Sequence, residues 1–254
     1  MSPPVWVLEL ARRFWLEAGG EEPFPRRLRD TIQHTLPVAI QTLPQLSVNR
    51  VLEWLRRRGI TPAVQTSDRW LRGCTVAGGG HGFLFLDADD PADEQRFTLA
   101  HELAHFLRDY WEPRRRLAAA LGAKVLEVCD GLRPARTDER LHSLLRDTPL
   151  GLQVHLLHRE DYRPASRHEE EAEEAADLLA YELLAPAGVV LVGTNCTTKT
   201  GLQCHLQTCY GLPSAPAARY AALLMPSSPP VDPILGRIQE SLRISCRTSA
   251  PASE

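Results

Sequence analysis

Along most of the chain the apolar positions recur at helical intervals. Residues 5 to 18 place apolar side chains on one face and stop at Gly19-Gly20, which predicts an amphipathic helix. A second helix is expected over residues 25 to 35, with Pro25 near its first turn. Ser47 is a suitable N-cap for a third, from Val48 to Arg58, with Gly59 as its stop. Its buried stripe would be Val48, Val51, Leu52 and Leu55. The triplet Arg56-Arg57-Arg58 reads as a solvated helix end that also suits the C-terminal dipole, in preference to a nucleic-acid contact.

The pattern changes between residues 69 and 87. Trp70 to Ala77 reads as one strand, Gly78-Gly79-Gly80 as a turn, and Gly82 to Leu86 as the returning strand. An acidic loop, Asp87 to Glu94, leads into a helix over residues 96 to 109, which no Pro or Gly interrupts. A strand beside that helix could hold an extended peptide by edge pairing, although the sequence does not show which strand is the edge.

Further along, a short helix is expected from Arg114 to Leu121, stopped by Gly122. A helix from Thr137 through Leu145 and a strand from Leu150 to His158 follow. Residues 168 to 185 form a strong helical pattern closed by Pro186, and its acidic N-terminal half suits the dipole. Val189 to Val192 is apolar without a clear form. Helices over 201–210 and 214–225 flank Gly211-Leu212-Pro213. The Pro/Ser-rich stretch from Pro226 allows one helical piece, Ile234 to Ile244, and a disordered end.

Bulk properties narrow the class. The chain has 254 residues, 43% of them hydrophobic, which suffices for one large domain or two small ones. A net charge of −3 gives no global basic field to recruit nucleic acid. Six cysteines lack a CxxC pair and read as reduced thiols. Val5-Trp6-Val7-Leu8 is too soon broken by Glu9, Arg12 and Arg13 for a signal peptide, and no apolar run is long enough to span a bilayer. A soluble cytoplasmic protein is the expectation.

The candidate chemistry lies at His101-Glu102-x-x-His105. On a helix, positions i and i+4 share a face, so both histidines can bind one metal ion. Glu102 then stands beside the open coordination position, where a zinc site keeps its water. The flanks are apolar, so the histidines would be half-buried and would need partners. His142, His155 and His158 read as structural or surface residues, because none has metal-ligand spacing. A third ligand is expected from the 168–185 helix. Glu173 and Asp177 stand at i and i+4, so one carboxylate can bind the metal and the other can fix a histidine tautomer. Glu169, Glu170, Glu171 and Glu174 compete, and spacing alone favours Glu173 only slightly.

Arg96-Phe97-Thr98-Leu99-Ala100-His101-Glu102-Leu103-Ala104-His105, followed by Glu173-x-x-Ala176-Asp177-x-x-Ala180-x-x-Leu183-Leu184-x-Pro186, resembles the ImmA/IrrE metallopeptidases. The resemblance implies a gluzincin-like site: His101, His105 and Glu173 on Zn²⁺, Glu102 as general base, and Asp177 behind a ligand. It covers residues 96–107 and 173–186, and more loosely Leu202–Leu224. Ala175 stands where the family often has a second acidic residue, and the interval from His105 to Glu173 is long for the family, implying an insertion. That insertion would be a lid or a substrate-selecting element.

The expected fold is α+β and mainly helical: a zincin-like core with a small sheet beside the HExxH helix and extra helices at both ends. The expected organisation is an N-terminal helical segment (1–68), a core (69–190) with an insertion at about 111–167, a helical pair (191–225) and a tail (226–254). The resemblance implies a zinc endopeptidase that cleaves a helix-turn-helix repressor to switch on stress-response or mobile-element genes. Two alternatives share the ligands: a regulatory protein that binds a repressor or DNA without cleavage, and a small-molecule zinc hydrolase. The 201–225 pair has helix-turn-helix dimensions, but Leu212 to Met225 offers a single cation, Arg219, which argues against direct nucleic-acid binding. Tyr181 is a candidate oxyanion donor by its place near Asp177, although packing is its commoner role.

Overall fold

The computed structural model describes residues 3–62, 67–142, 148, 150–159 and 166–226. The fold is α+β and mainly helical, with one small sheet. The expected helical piece Ile234–Ile244, and residues 143–145 of the helix expected from Thr137, lie outside the described residues. No helix among the described residues is long and apolar enough to cross a membrane.

The chain opens with α1 (Val5–Glu17) and α2 (Leu28–Thr35), then β1 (Val38–Leu43) and α3 (Val48–Arg56). The β2 (Leu71–Gly78) and β3 (His81–Asp87) hairpin turns at Gly79 and Gly80, both at positive φ, which glycine adopts at no steric cost. Helix α4 (Ala92–His105) continues through a π-helical turn (Phe106–Trp111) into α5 (Glu112–Leu121). The sequence suggests a separate helix from Arg114. The structure instead keeps one continuous rod, because the wider π turn precedes Pro113, which has no amide N–H to give to the helix.

Short helices α6 (Leu126–Cys129) and α7 (Thr137–Leu141) lead to β4 (Gln153–His158). Helix α8 (Arg167–Leu184) is capped by Ser166, whose Oγ accepts from Glu169 N at 3.2 Å. The apolar stretch after Pro186 is helical, as α9 (Ala187–Val192), and α10 (Lys199–Tyr210) and α11 (Ser214–Leu224) end the described chain.

The sheet runs β1-β3-β2-β4, with β1 parallel to β3 and the other pairs antiparallel. Strand period divides its side chains between two cores. Cys74, Val76 and Phe85 pack with Val48, Val51, Leu52 and Leu55 of α3 on one face. Ile40, Ala77 and Leu84 face the larger core of α1, α4, α8, α10 and α11. β1 has no counterpart in the sequence reading. Its six residues lie between Pro37 and Pro44, and its pairing with β3 joins stretches remote in sequence.

The C-terminal helices are part of the main core. Leu202, Leu206, Tyr210, Ala217 and Tyr220 are buried in it, and Tyr220 donates to Ala185 O at 3.0 Å. Arg219 lies 3.5 Å from Asp177, so its charge faces the site. At the end of α3, Arg57 pairs with Glu53 and Arg58 lies over the Trp54 ring at 3.5 Å.

Candidate metal centre

The site forms where α4 and α8 cross beneath β2 and β4. Nine consecutive residues of α4, Phe97 to His105, are buried, which places His101, Glu102 and His105 in the interior. The sheet lets the helix come close because it presents small residues there. A Cβ on Gly73 would lie 2.6 Å from Glu102 Oε1, and one on Gly82 would lie 2.7 Å from the Phe106 ring.

His101 Nε2 and His105 Nε2 are 3.2 Å apart. Behind them, His101 Nδ1 meets Asp177 Oδ1 at 2.9 Å, and His105 Nδ1 meets Asp109 Oδ2 at 2.9 Å. Each carboxylate accepts the Nδ1 proton and so leaves the Nε2 lone pair free for a shared ion. Glu173 reaches both rings, with Oε2 3.2 Å from His101 Nε2 and Oε1 3.6 Å from His105 Nε2. Glu170, Glu171 and Glu174 are exposed, while Glu169 lines the adjoining cleft. The structure thus brings His101, Glu102, His105, Glu173 and Asp177 together.

It also brings His155, which spacing reads as a structural or surface residue. His155 stands on β4 opposite Thr75 of β2, so both side chains point at α4. Its Nε2 is 2.6 Å from Glu173 Oε1, and its Nδ1 is 3.4 Å from Glu102 Oε2. Asp109 is a second residue the sequence analysis does not single out: it orients His105 from the π turn, which Arg108 fastens to α8 through Ala172 O at 2.8 Å. The i, i+4 relation of His105 to Asp109 could have suggested that pairing. Tyr181, the candidate oxyanion donor, is buried between Phe97 and Tyr220 as a packing residue.

Glu102 is fully buried. Thr75 Oγ1 donates to its Oε2 at 2.6 Å, while Oε1 has no hydrogen-bond partner among the described residues. A buried carboxylate oxygen without a donor is costly unless a ligand or solvent meets it.

The electrostatics ask for a cation. Burial works against charge on His101, but Asp177 and Glu173 outweigh it and push that ring up to about 10. Burial likewise opposes charge on His155, and Glu102 and Glu173 push it up to about 9. Burial, then the neighbouring rings of His155 and His101, drives His105 well below its ordinary value. Burial also opposes charge on Glu173, yet contacts with His101 and His155 hold it well below the usual carboxylate range. The carboxylates therefore draw positive charge into a buried centre, which protonated imidazoles or a divalent ion can supply. The donor set fits such an ion: imidazole nitrogens, one carboxylate, and a second carboxylate behind each of two rings.

A cleft of about 490 Å³ opens beside the centre between β4, the π turn and α8. His105, His155 and Glu173 line it.

Residues 59–124 match the M78 peptidase family model, described as the IrrE N-terminal-like domain. The matched stretch contains β2, β3, α4 and α5, with both HExxH histidines and Glu102. The ImmA/IrrE resemblance of the α4 motif holds there, and the family is one of metallopeptidases. His155, Glu173 and Asp177 lie beyond the matched stretch. Among curated proteins no match was found.

Proposed function

We propose that this protein is a zinc-dependent endopeptidase that cleaves a helix-turn-helix transcriptional repressor and so releases stress-response or mobile-element genes. The observation that carries the reading is the buried Glu102 carboxylate beside two carboxylate-oriented histidines and Glu173. A site that only held a structural metal would not need Glu102.

His101, His105 and Glu173 would hold the ion, and zinc bound there supplies a Lewis acid that polarises the scissile carbonyl and makes water more acidic. Asp177 and Asp109 keep each histidine in the tautomer that presents Nε2. Thr75 holds the Glu102 carboxylate through Oε2, and the carboxylate keeps acceptor capacity to take a proton from the attacking water. Glu102 then delivers that proton to the leaving amine as the C–N bond breaks, and the hydroxyl remains on the new carboxyl group. Exclusion of bulk water around the buried carboxylate strengthens each of these contacts. A repressor substrate would put the activity in the cytoplasm.

The test compares new protein N-termini in cells expressing wild type or Glu102→Gln. Cleavages seen only with wild type, falling within a helix-turn-helix repressor, are the expected result. Zinc in both proteins with no wild-type-specific cleavage would sink the peptidase reading and leave a regulator that binds its partner intact.

A further inference from the structure

The centre holds one imidazole more than the proposed chemistry requires. His101, His105, His155 and Glu173 each offer one ligand atom, and these four atoms all lie within 4.8 Å of one another. Catalytic zinc keeps three protein ligands and an open position, whereas four protein ligands make a closed site. His155 is packed into this group. Its ring stacks on His105 with centroids 3.4 Å apart, and its two nitrogens reach Glu173 and Glu102. It lines the cleft, whereas Glu102 does not. The side chain that adds a ligand therefore also stands against the general base.

Strand topology explains how His155 arrives. Thr75, the donor to Glu102, lies on β2, and β2 has no free edge because β3 pairs with one side and β4 with the other. An extended peptide joining a sheet needs a free edge. Beside Glu102 that edge is taken by β4, with His155 at the position opposite Thr75. The strand is fastened at its end by Arg159, which lies 2.6 Å from Asp87 and 2.8 Å from Asp90. β4 also belongs to the stretch that the family match does not cover.

We infer that His155 is a fourth protein ligand and that β4 is an internal cap, so that the resting ion is held by three imidazoles and one carboxylate. A peptide reaches the ion only after β4 has been drawn from the edge of β2 and His155 has left. The consequence for cleavage rests on the peptidase reading above, whereas the coordination is testable without it.

The experiment uses the zinc- and cobalt-loaded full chain. X-ray absorption of the zinc protein should count three imidazoles in wild type and two in His155→Ala. Chelator competition should show zinc held at least about ten-fold more weakly by the variant. Acetohydroxamate, a small metal-binding probe, should change the visible spectrum of cobalt-loaded His155→Ala and leave that of wild type unaltered. Two imidazoles in wild type, with a cobalt spectrum that responds to acetohydroxamate, would overturn the inference. Both wild-type measurements stand even if the variant misfolds. Three imidazoles without any Glu102-dependent cleavage would uphold the closed centre and remove the peptidase. Glu102-dependent cleavage by a two-imidazole wild type would do the reverse.

Discussion

Thr75 and His155 face each other across the β2–β4 ladder and approach the same oxygen of Glu102, at 2.6 Å and 3.4 Å. Thr75 gives the shorter contact and is the natural target for separating base from metal. Thr75→Val keeps the shape and removes the donor. A hydrogen bond to a buried charge contributes about 1.5–3 kcal/mol. On the peptidase proposal, cleavage by Thr75→Val should therefore fall roughly ten-fold or more, with zinc content unchanged. An unaltered rate would mean that Thr75 only packs.

The acidic face of α8 offers a clean contrast. Glu173 touches both motif histidines, while Glu170 is exposed. Metal analysis should show zinc lost from Glu173→Ala and retained by Glu170→Ala. Asp177→Asn should weaken zinc binding about 10–100-fold, because the carboxylate behind His101 is removed but the ligands remain. Equal zinc loss from Glu170→Ala would shift the ligand by one turn.

Gly73 sets the distance between sheet and helix. Its φ is not the constraint here; a Cβ would strike Glu102 Oε1 at 2.6 Å and Thr98 Cγ2 at 2.7 Å. Forcing a methyl group into such packing costs about 1–3 kcal/mol. Gly73→Ala should lower the melting temperature by several degrees and lose cleavage, since the carboxylate must move. A variant as stable and active as wild type would show that the helix can retreat from the strand.

Asp87 gives a prediction in pH. Burial raises its pKa, but the N–H of Asp89, the Arg159 guanidinium and the N–H of Leu46 together hold it below the usual carboxylate range. A depressed pKa contributes stability that is fully present above the unfolded value, near 3.9, and is lost as pH falls through the folded value. Asp87→Asn should thus melt well below wild type at pH 7, and the gap should narrow below about pH 4. A gap constant down to pH 3 would remove Asp87 from the acid response.

The motif residues were legible because helical spacing is local. His101 and His105 need only the 3.6-residue turn to meet, and Glu173 and Asp177 are likewise one turn apart. The stripe Val48, Val51, Leu52 and Leu55 is buried as its period implies. His155 shows where that reasoning stops. Its place depends on β4 pairing with β2, two strands separated by α4, α5 and more, and no interval between histidines encodes that register. β1 escapes for the same reason, since a parallel partner supplies its hydrogen bonds from a distant part of the chain. The π turn is a third case: five-residue hydrogen bonding over a single turn, Phe106 to Trp111, is too short to leave a period of its own.

Helices α4 and α8 are joined through a long intervening stretch, yet their side chains converge on one point. An ion shared by His105 and Glu173 is therefore a cross-link as well as a reagent. It would close a large loop that the unfolded chain leaves open, and long loops gain most from closure. With an ion bound there, resistance to unfolding would rise with metal supply, and starvation for the ion would loosen the α4–α8 crossing along with removing the chemistry.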